Sequence, residues 1–396
     1  MKKLLTLLTV FTISTTSTTS VISCMPQQAQ VNFDFDPSIG KNIDKSNAVD
    51  TSVDPESHHG VSNFFTLGDS LSDNGGLVTI AKDELGVNAK MSGLYNNGFS
   101  NGKRVAEIIN DKLGFEESTF KSSNIIHNAD IDYTKADGTT QKAWGRNYSV
   151  GGATAYESDG LTGKLLMGNT GIYKQAQALV KQQKINDKDL FLLEIGGNDL
   201  FALADARNDY NTQKSIMSNG LDNIKNALCT LINNGAKRIL FITPPDILLT
   251  PGYNNKNTDS GGSGEYSEDE LKKINLLCKE FDSSITKIVN AINEKNDVIK
   301  VYNLYQNLKV ILDGFISESS KQEINVENNY SESTAFDLGG LDITNIDIKA
   351  VVREKYKDKN IDDFFFIDKV HPTAAGHKYV SELVYKLLID DSFITE

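Results

Sequence analysis

The chain has few of the residues that build metal centres and nucleic-acid surfaces. Only three of its 396 residues are cysteine and five are histidine. There is no CxxC pair and no His/Cys cluster at zinc spacing, so neither a structural nor a catalytic zinc site is expected. Lysine and arginine number 40 against 53 acidic residues, a net charge of −13. Nucleic acid is therefore not an expected partner, because phosphate binding needs clustered positive charge.

The N-terminus has the composition of an export signal. Met1-Lys2-Lys3 carries positive charge, and the apolar stretch 4–13 is too short and too rich in threonine to span a bilayer. Val21-Ile22-Ser23-Cys24 then resembles the lipobox of bacterial lipoproteins, in which the cysteine is lipidated and becomes the mature N-terminus. The resemblance implies a signal peptide over 1–23 and a lipid anchor on Cys24 at the extracellular face of the cell membrane. The alternative is an ordinary secretory signal in which Cys24 is incidental.

Composition divides the rest of the chain into a tether and one domain. Residues 24–60 are polar and include His58 and His59, so we expect a solvated tether that buries too little apolar surface to fold. Residues 61–396 contain no internal repeat and no clean linker, which favours one domain with insertions. Cys229 and Cys278 lie in apolar helical patterns of this domain, and the sequence leaves open whether they pair.

Apolar runs alternate with helical patterns throughout this domain. Five runs have strand character, at 62–67, 190–195, 238–243, 298–304 and 364–367. Helical spacing covers the stretches 71–85, 102–114, 212–233, 266–293 and 372–388. Continuous apolar strands between helices are typical of a parallel sheet buried on both faces. The sequence therefore predicts an α/β fold with a five-stranded parallel sheet and helices on both sides.

Two serines compete as nucleophile candidates. Ser70 follows an apolar strand and a glycine turn and precedes a helix, whose N-terminal N–H groups favour nearby negative charge. It could equally be a plain helix cap, with Asp73 completing a capping box. Ser100 matches the G-x-S-x-G pattern, but the residues before it are rich in glycine and asparagine rather than strand-like. We therefore interpret Ser100 as a loop or cap serine.

Few histidines could serve as the general base. His58 and His59 lie in the predicted tether, and His127 lies in an irregular polar stretch. His371 follows Asp368 by three residues, so a short turn can bring the carboxylate to the far nitrogen of the imidazole. A surface Asp-His pair that caps the following helix is the alternative.

Four blocks, in order, resemble those of the SGNH or GDSL hydrolases. They are Gly68-Asp69-Ser70-Leu71-Ser72-Asp73, Asn147-Tyr148-Ser149-Val150-Gly151-Gly152-Ala153-Thr154, Gly196-Gly197-Asn198-Asp199, and Asp368-x-x-His371. The segment from Phe99 to Val105 is similar to the FSNG segment of the phospholipase and haemolysin branch and of plant members. The resemblance implies a three-layer α/β/α, flavodoxin-like fold.

The resemblance also implies roles for individual residues. Ser70 would be the nucleophile, His371 the base and Asp368 its orienter. The oxyanion donors would be the Ser70 N–H, the Gly152 N–H, for which Gly151 competes, and the Asn198 side chain. No cofactor and no metal are required.

Several functions share this machinery. The first expectation is hydrolysis of lipid or small acyl esters at the membrane surface, where the anchor would hold the enzyme. A carbohydrate O-acetyl esterase or an acyltransferase uses the same groups, and a non-catalytic surface-binding lipoprotein is the alternative from another class. Trp144 and Tyr148 could line an acyl pocket or pack in the core. The polar stretches 251–266 and 318–345 are candidate lids.

Overall fold

The computed structural model describes residues 31–135, 137–157, 168–254, 266–319, 323–337 and 345–396. The predicted signal peptide 1–23 and Cys24 lie outside the described residues, as does most of the candidate lid 251–266. Parts of the candidate lid 318–345 lie outside them as well.

The described chain contains eleven strands and eight α-helices. The strands are β1 (Phe64–Gly68), β2 (Asn88–Ser92), β3 (Ile131–Thr134), β4 (Thr140–Ala143), β5 (Leu190–Glu194), β6 (Arg238–Ile242), β7 (Ile299–Tyr302), β8 (Asn325–Asn329), β9 (Ser331–Asp337), β10 (Asn345–Val352) and β11 (Phe364–Phe366). The α-helices are α1 (Gly76–Leu85), α2 (Val105–Lys112), α3 (Ile172–Gln182), α4 (Gly197–Asp205), α5 (Tyr210–Asn233), α6 (Glu268–Asn296), α7 (Leu304–Glu318) and α8 (Ala374–Asp390).

The central sheet has four parallel strands, in the order β1-β5-β6-β7. Thr66 pairs with Leu192 and Leu192 with Leu240, so adjacent strands are in simple register. Parallel strands end at the same edge, which brings the loops after β1 and β5 together. This edge carries the first and third of the four sequence blocks.

The prediction of a fifth strand at 364–367 is wrong for this sheet. Strand β11 pairs in parallel with β8, in a separate two-stranded sheet. Phe365 and Phe366 are buried in the cluster that contains α7 and α8, as the edge-to-face contact of Phe365 with Phe315 illustrates, whereas Phe364 packs on Tyr356. An apolar run predicts a buried strand but carries no information about which strand it pairs with.

A short extended segment lies beside β1, on the side of that strand away from β5. The Thr66 N–H donates to the Arg146 carbonyl at 3.0 Å, and the Tyr148 N–H donates to the Thr66 carbonyl at 2.8 Å. The Val150 N–H continues the pattern to Gly68, at 3.1 Å. These bonds bring the second sequence block alongside the strand that leads to Ser70.

Helices cover both faces of the sheet, as the alternation of strand side chains requires. Phe65 of β1 belongs to the core cluster that contains α3, α4, α5 and α6, whereas its neighbour Phe64 belongs to the cluster that contains α2, α7 and α8. The described residues therefore form three layers, α/β/α, as predicted.

Residues 31–60 pack on the domain, although their composition predicts a solvated tether. Val31 is buried in the main core, and Phe33 packs against it. The Val49 N–H donates to the Gln182 carbonyl at 2.9 Å. A few apolar residues at spaced positions are enough to hold this polar segment, because the domain supplies the surface that they cover.

The two cysteines of the domain are free and buried. Burial is the main cause of the raised pKa of both thiols.

None of the helices in the described ranges combines the length and apolarity needed to cross a membrane.

Candidate active site

Ser70 lies in the turn that follows β1, at the edge of the sheet where the parallel strands end. The turn begins at Gly68, which the Gln175 side chain of α3 holds at both of its peptide groups. The Gly68 N–H donates to Gln175 Oε1 at 2.7 Å, and Gln175 Nε2 donates to the Gly68 carbonyl at 2.8 Å. Helix α1 starts only at Gly76, so residues 71–75 form a turn rather than the helix that the sequence predicts there.

A chain of hydrogen bonds joins Ser70, His371 and Asp368. His371 Nε2 lies 2.7 Å from Ser70 Oγ, and His371 Nδ1 lies 2.7 Å from Asp368 Oδ2. An ionised carboxylate can only accept, so the Asp368 bond places the imidazole hydrogen on Nδ1 and leaves Nε2 to accept from the serine hydroxyl. The other Asp368 oxygen accepts the N–H groups of Val370 and His371 at 2.9 and 2.8 Å, which fixes the turn between Asp368 and His371.

The charges around His371 set its protonation. Burial disfavours the imidazolium, but the carboxylate of Asp368 and, more weakly, those of Asp69 and Asp73 raise the pKa of His371 above its ordinary value. Burial likewise opposes the charge on Asp368, yet the contact with His371 and the backbone N–H bonds hold the pKa of Asp368 below its ordinary value. Asp368 is therefore an anion that stabilises a protonated His371.

Asp73 connects the nucleophile turn to the second block. Its side chain accepts the N–H groups of Gly75, Gly76 and Leu77 at the start of α1, and also the Gly151 N–H at 2.6 Å. Asp73 is fully buried, and burial raises its pKa, although the hydrogen bonds from these four donors act to lower it. Because α1 begins at Gly76, Ser70 is not its cap, and the capping box of Ser70 and Asp73 considered from sequence is not formed. Asp73 instead accepts donors at the start of α1 and one long-range donor that spacing alone does not indicate.

The contact with Asp73 distinguishes the two adjacent glycines of the second block. The Gly151 N–H is engaged by Asp73 and is not available to a ligand. Gly152 has a φ of +80°, in the region that favours glycine, and is only partly buried. Among the described residues no acceptor bonds its N–H. Of the two glycines, Gly152 is therefore the one whose N–H no described residue accepts.

The third block lies across the cleft from Ser70. Asn198 lines the cleft, and its Nδ2 donates one hydrogen to the Ala153 carbonyl at 2.8 Å, which leaves the second hydrogen of the amide. Asp199 accepts the N–H groups of Ala155 and Tyr156 at 2.9 and 2.8 Å. Burial raises the pKa of Asp199 to about 7. The Asn198-Asp199 pair thus fixes the loop that follows Gly152.

Two buried carboxyl groups, those of Asp69 and Glu194, contact each other beside the turn that carries Ser70. The Asp69 N–H donates to Glu194 Oε1 at 3.0 Å, and the two side chains also hydrogen-bond to each other. Burial first, and then the negative charge of Asp69, raises the pKa of Glu194 well above its ordinary value. Burial raises the pKa of Asp69 too, although the Leu71 N–H and His371 oppose the rise. Glu194 is accordingly the protonated member of the pair.

The Glu194→Gln variant is expected to unfold a few degrees above the wild type at pH 8 and close to it at pH 5. In the folded protein the pKa of Glu194 is raised above the 4.5 of an unfolded chain, so the folded state holds a proton that the unfolded state has lost. This contribution to stability is complete below about pH 4.5. It falls as the pH rises towards the pKa that Glu194 has in the folded protein. Glutamine keeps the acceptor and the donor of the protonated acid and does not titrate.

Thermal unfolding followed by circular dichroism at pH 5, 6.5 and 8 measures this difference. A variant that is less stable than the wild type at all three values would show that Glu194 is ionised in the folded protein.

The cleft beside these groups has mainly apolar walls. Leu71, Phe201, Pro245 and Val370 line it together with Ser70 and its polar neighbours. Phe201 is held by a parallel stack on Tyr253, with ring centroids 5.5 Å apart. The cleft thus presents an apolar surface next to the Ser70 hydroxyl.

Other candidate residues lie away from the cleft. Ser100 is buried, and its hydroxyl donates to the Pro372 carbonyl at 3.0 Å. His127 contacts Asp83 at 2.7 Å on the surface side of α1. Tyr148 is fully buried and accepts from Gln183, and the Trp144 Nε1–H donates to the His127 carbonyl, so neither aromatic lines the cleft.

No group of three or more potential metal ligands is found within the described parts of the chain.

Comparison with known proteins finds similarity to lipases and GDSL esterases. The chain is 23% identical over 369 residues to Lipase 1 of Photorhabdus luminescens, an alignment that covers 83% of this chain and 50% of that lipase. It thus spans about half the length of that relative. It is 22% identical over 367 residues to a GDSL esterase/lipase of Arabidopsis thaliana, with 83% of this chain and 86% of the relative covered. The family model of the GDSL-like lipases and acylhydrolases matches residues 64–384, which include all four sequence blocks. The chain belongs to the GDSL-like lipase/acylhydrolase family.

Proposed function

We propose that this chain is a serine esterase that hydrolyses carboxylic esters through an acyl-enzyme formed on Ser70. The supporting observation is the continuous hydrogen-bond chain from Ser70 Oγ through His371 to Asp368, with both links at 2.7 Å. Membership of a family of lipases and acylhydrolases agrees with ester hydrolysis.

In the first step Ser70 Oγ attacks the ester carbonyl while His371 Nε2 takes its proton. The imidazolium that forms is stabilised by the Asp368 carboxylate, and His371 then gives the proton to the leaving alcohol. Water enters, loses a proton to His371 and attacks the acyl-enzyme. Collapse of the second tetrahedral intermediate returns the proton to Ser70 and releases the acid.

Three donors are assigned to the carbonyl oxygen as it becomes negative. They are the Ser70 N–H, the Gly152 N–H and the remaining hydrogen of the Asn198 amide. No described residue accepts either of the two backbone N–H groups, and Asn198 lines the cleft next to Ser70. Donors that are oriented before the reaction need no reorganisation when charge develops.

The acyl group is proposed to lie against the apolar wall formed by Leu71, Phe201, Pro245 and Val370. Lipid esters and small aliphatic esters both present such a surface. We further propose that the mature protein is held at the extracellular face of the membrane by lipidation of Cys24, on the strength of the sequence Val21-Ile22-Ser23-Cys24. Lipid esters would then be close to the cleft.

Mass spectrometry of the full chain after reaction with a fluorophosphonate tests the nucleophile. One equivalent of label is expected on the peptide that contains Ser70, because a serine hydroxyl activated by a base forms a stable adduct with the fluorophosphonate. The same spectra are expected to show a lipid-modified Cys24 as the mature N-terminus.

Hydrolysis of p-nitrophenyl acetate, butyrate and palmitate then separates a short-chain esterase from a lipase.

An unlabelled Ser70, together with no turnover of any of the three esters, would contradict the proposed reaction and favour a surface-binding protein. An unmodified N-terminus elsewhere would contradict the anchor alone.

A further inference from the structure

The segment 98–102 reaches the general base without belonging to the machinery assigned above. The ring of Phe99 stacks on the imidazole of His371, with centroids 4.9 Å apart and an interplanar angle of 29°. The same ring covers Gly151, where an added Cβ would lie 2.2 Å from Cε2 of Phe99. Phe99 therefore fills the space between the base and the turn that carries Gly152.

The next two residues fasten this segment to the chain just beyond His371. Ser100 Oγ donates to the Pro372 carbonyl at 3.0 Å. The Ala374 N–H, at the start of α8, donates to Asn101 Oδ1 at 2.8 Å. Any displacement of the segment would consequently displace the backbone that carries the imidazole.

A buried ion pair fixes the other side of the segment. Arg104 is fully buried and pairs with Glu107 at 2.6 Å, and its second terminal nitrogen donates to the Tyr95 carbonyl at 3.0 Å. The Tyr95 N–H in turn donates to the Ser100 carbonyl at 2.8 Å. Phe99 thus lies in a loop that hydrogen bonds and a buried ion pair hold on both sides.

The position of the ring has a chemical consequence. An aromatic face attracts a cation above it, so the imidazolium that forms during acyl transfer gains more from this contact than neutral imidazole does. The charged and titratable groups around His371 are Asp368 in its own loop, Asp69 and Asp73 in the nucleophile block, and His377 in α8. Replacing Phe99 leaves all four in place.

We propose that Phe99 is a positioning residue for His371, which holds the imidazole in the plane that faces Ser70 and stabilises its protonated form. The inference rests on the proposed function, since it is the acyl-transfer reaction that requires His371 to take a proton. A ring that only fills space would contribute to folding and not to the proton affinity of the base.

Nuclear magnetic resonance of the full chain labelled with ¹³C-histidine tests the proton affinity without any substrate. The five histidines give few signals, and loss of one in His371→Gln assigns it. Phe99→Leu keeps an apolar side chain but removes the aromatic face. The pH at the midpoint of the His371 titration is therefore expected to be about 0.5 pH units lower than in the wild type. Phe201→Leu, which removes a cleft ring stacked on Tyr253 instead, is expected to leave that midpoint unchanged.

Kinetics on p-nitrophenyl acetate give the second measurement. Phe99→Leu is expected to lower kcat about three- to tenfold with little change in KM, and to move the acidic limb of the pH profile to lower pH. If Phe99→Leu does not fold at the assay temperature, Phe99→Met restores a flexible apolar volume without a ring and is expected to give the same two shifts.

An unchanged His371 midpoint in Phe99→Leu would overturn the proposal, and so would a rise in KM at constant kcat, which would make Phe99 a wall for substrate. Because the titration needs no turnover, it decides on Phe99 even if no ester proves to be a substrate. Failure of the proposed reaction and failure of this inference are therefore distinguishable.

Discussion

Ser70→Ala is expected to lower kcat on p-nitrophenyl acetate by about 10⁴- to 10⁶-fold, the largest effect of any single substitution in this chain. The methyl group cannot form the acyl-enzyme. Neither Ser100 nor the cleft residue Thr250 is placed to replace it, since their hydroxyls donate to the carbonyls of Pro372 and Ile247. The remaining rate would come from the oxyanion donors acting on a water molecule. Initial rates at saturating substrate measure the loss.

The matched control is Ser118→Ala. Ser118 is exposed and contacts only the Glu116 side chain two residues away, so its loss should leave kcat within about twofold. Both variants should keep the circular-dichroism spectrum of the wild type. A Ser70→Ala protein that folds and retains more than a tenth of the wild-type kcat would remove Ser70 from the reaction.

Asn198→Ala is expected to lower kcat by about 10²- to 10³-fold with little change in KM. The amide hydrogen that is not bonded to Ala153 is the group assigned to the oxyanion, and its interaction strengthens only when the carbonyl oxygen becomes negative. A loss confined to kcat is therefore the signature of a donor to the transition state, whereas a weaker contact with the substrate would raise KM.

Asn198 also holds the loop after Gly152, so a control must separate the two roles. Asn223 donates to the Ala155 carbonyl of the same loop at 2.9 Å and does not line the cleft. Asn223→Ala is expected to lower stability by about 1 kcal/mol while kcat stays within about threefold. Equal losses of kcat in the two variants would show that loop position, not donation by Asn198, controls the rate.

The strand and helix predictions succeed where local pattern determines the structure. The apolar runs at 190–195 and 238–243 form β5 and β6, and the predicted helix 212–233 is observed at Tyr210–Asn233. The first predicted helix starts five residues late, because Asp73 and the two glycines after Asn74 close a turn before α1 begins. Residues 31–60 pack on the domain because that domain offers an apolar surface, which their own composition does not reveal.

Some contacts at the cleft left a partial signal in the sequence. The spacing of Asp368 and His371 predicts their pairing, because a turn with two intervening residues can bring the two side chains together. The FSNG-like segment marked Phe99 as a part of the family pattern but not as a neighbour of the base. Glu194 could have been noticed as a carboxylate at the end of an otherwise apolar run, a position at which burial raises the pKa of an acid.

By itself, the sequence determined the α/β class, the order of the four blocks and the identities of Ser70, Asp368 and His371 as candidates, because strand and helix periodicity and short turns are local properties. Only the tertiary structure decided that Ser70 lies 2.7 Å from a histidine 301 residues away, that Asp73 engages the N–H of Gly151 and no described residue that of Gly152, and that β11 lies outside the central sheet. Each of these depends on which distant backbone segments pair at the edge of the sheet. That choice is made by the packing of the whole domain, and no window of the sequence contains it.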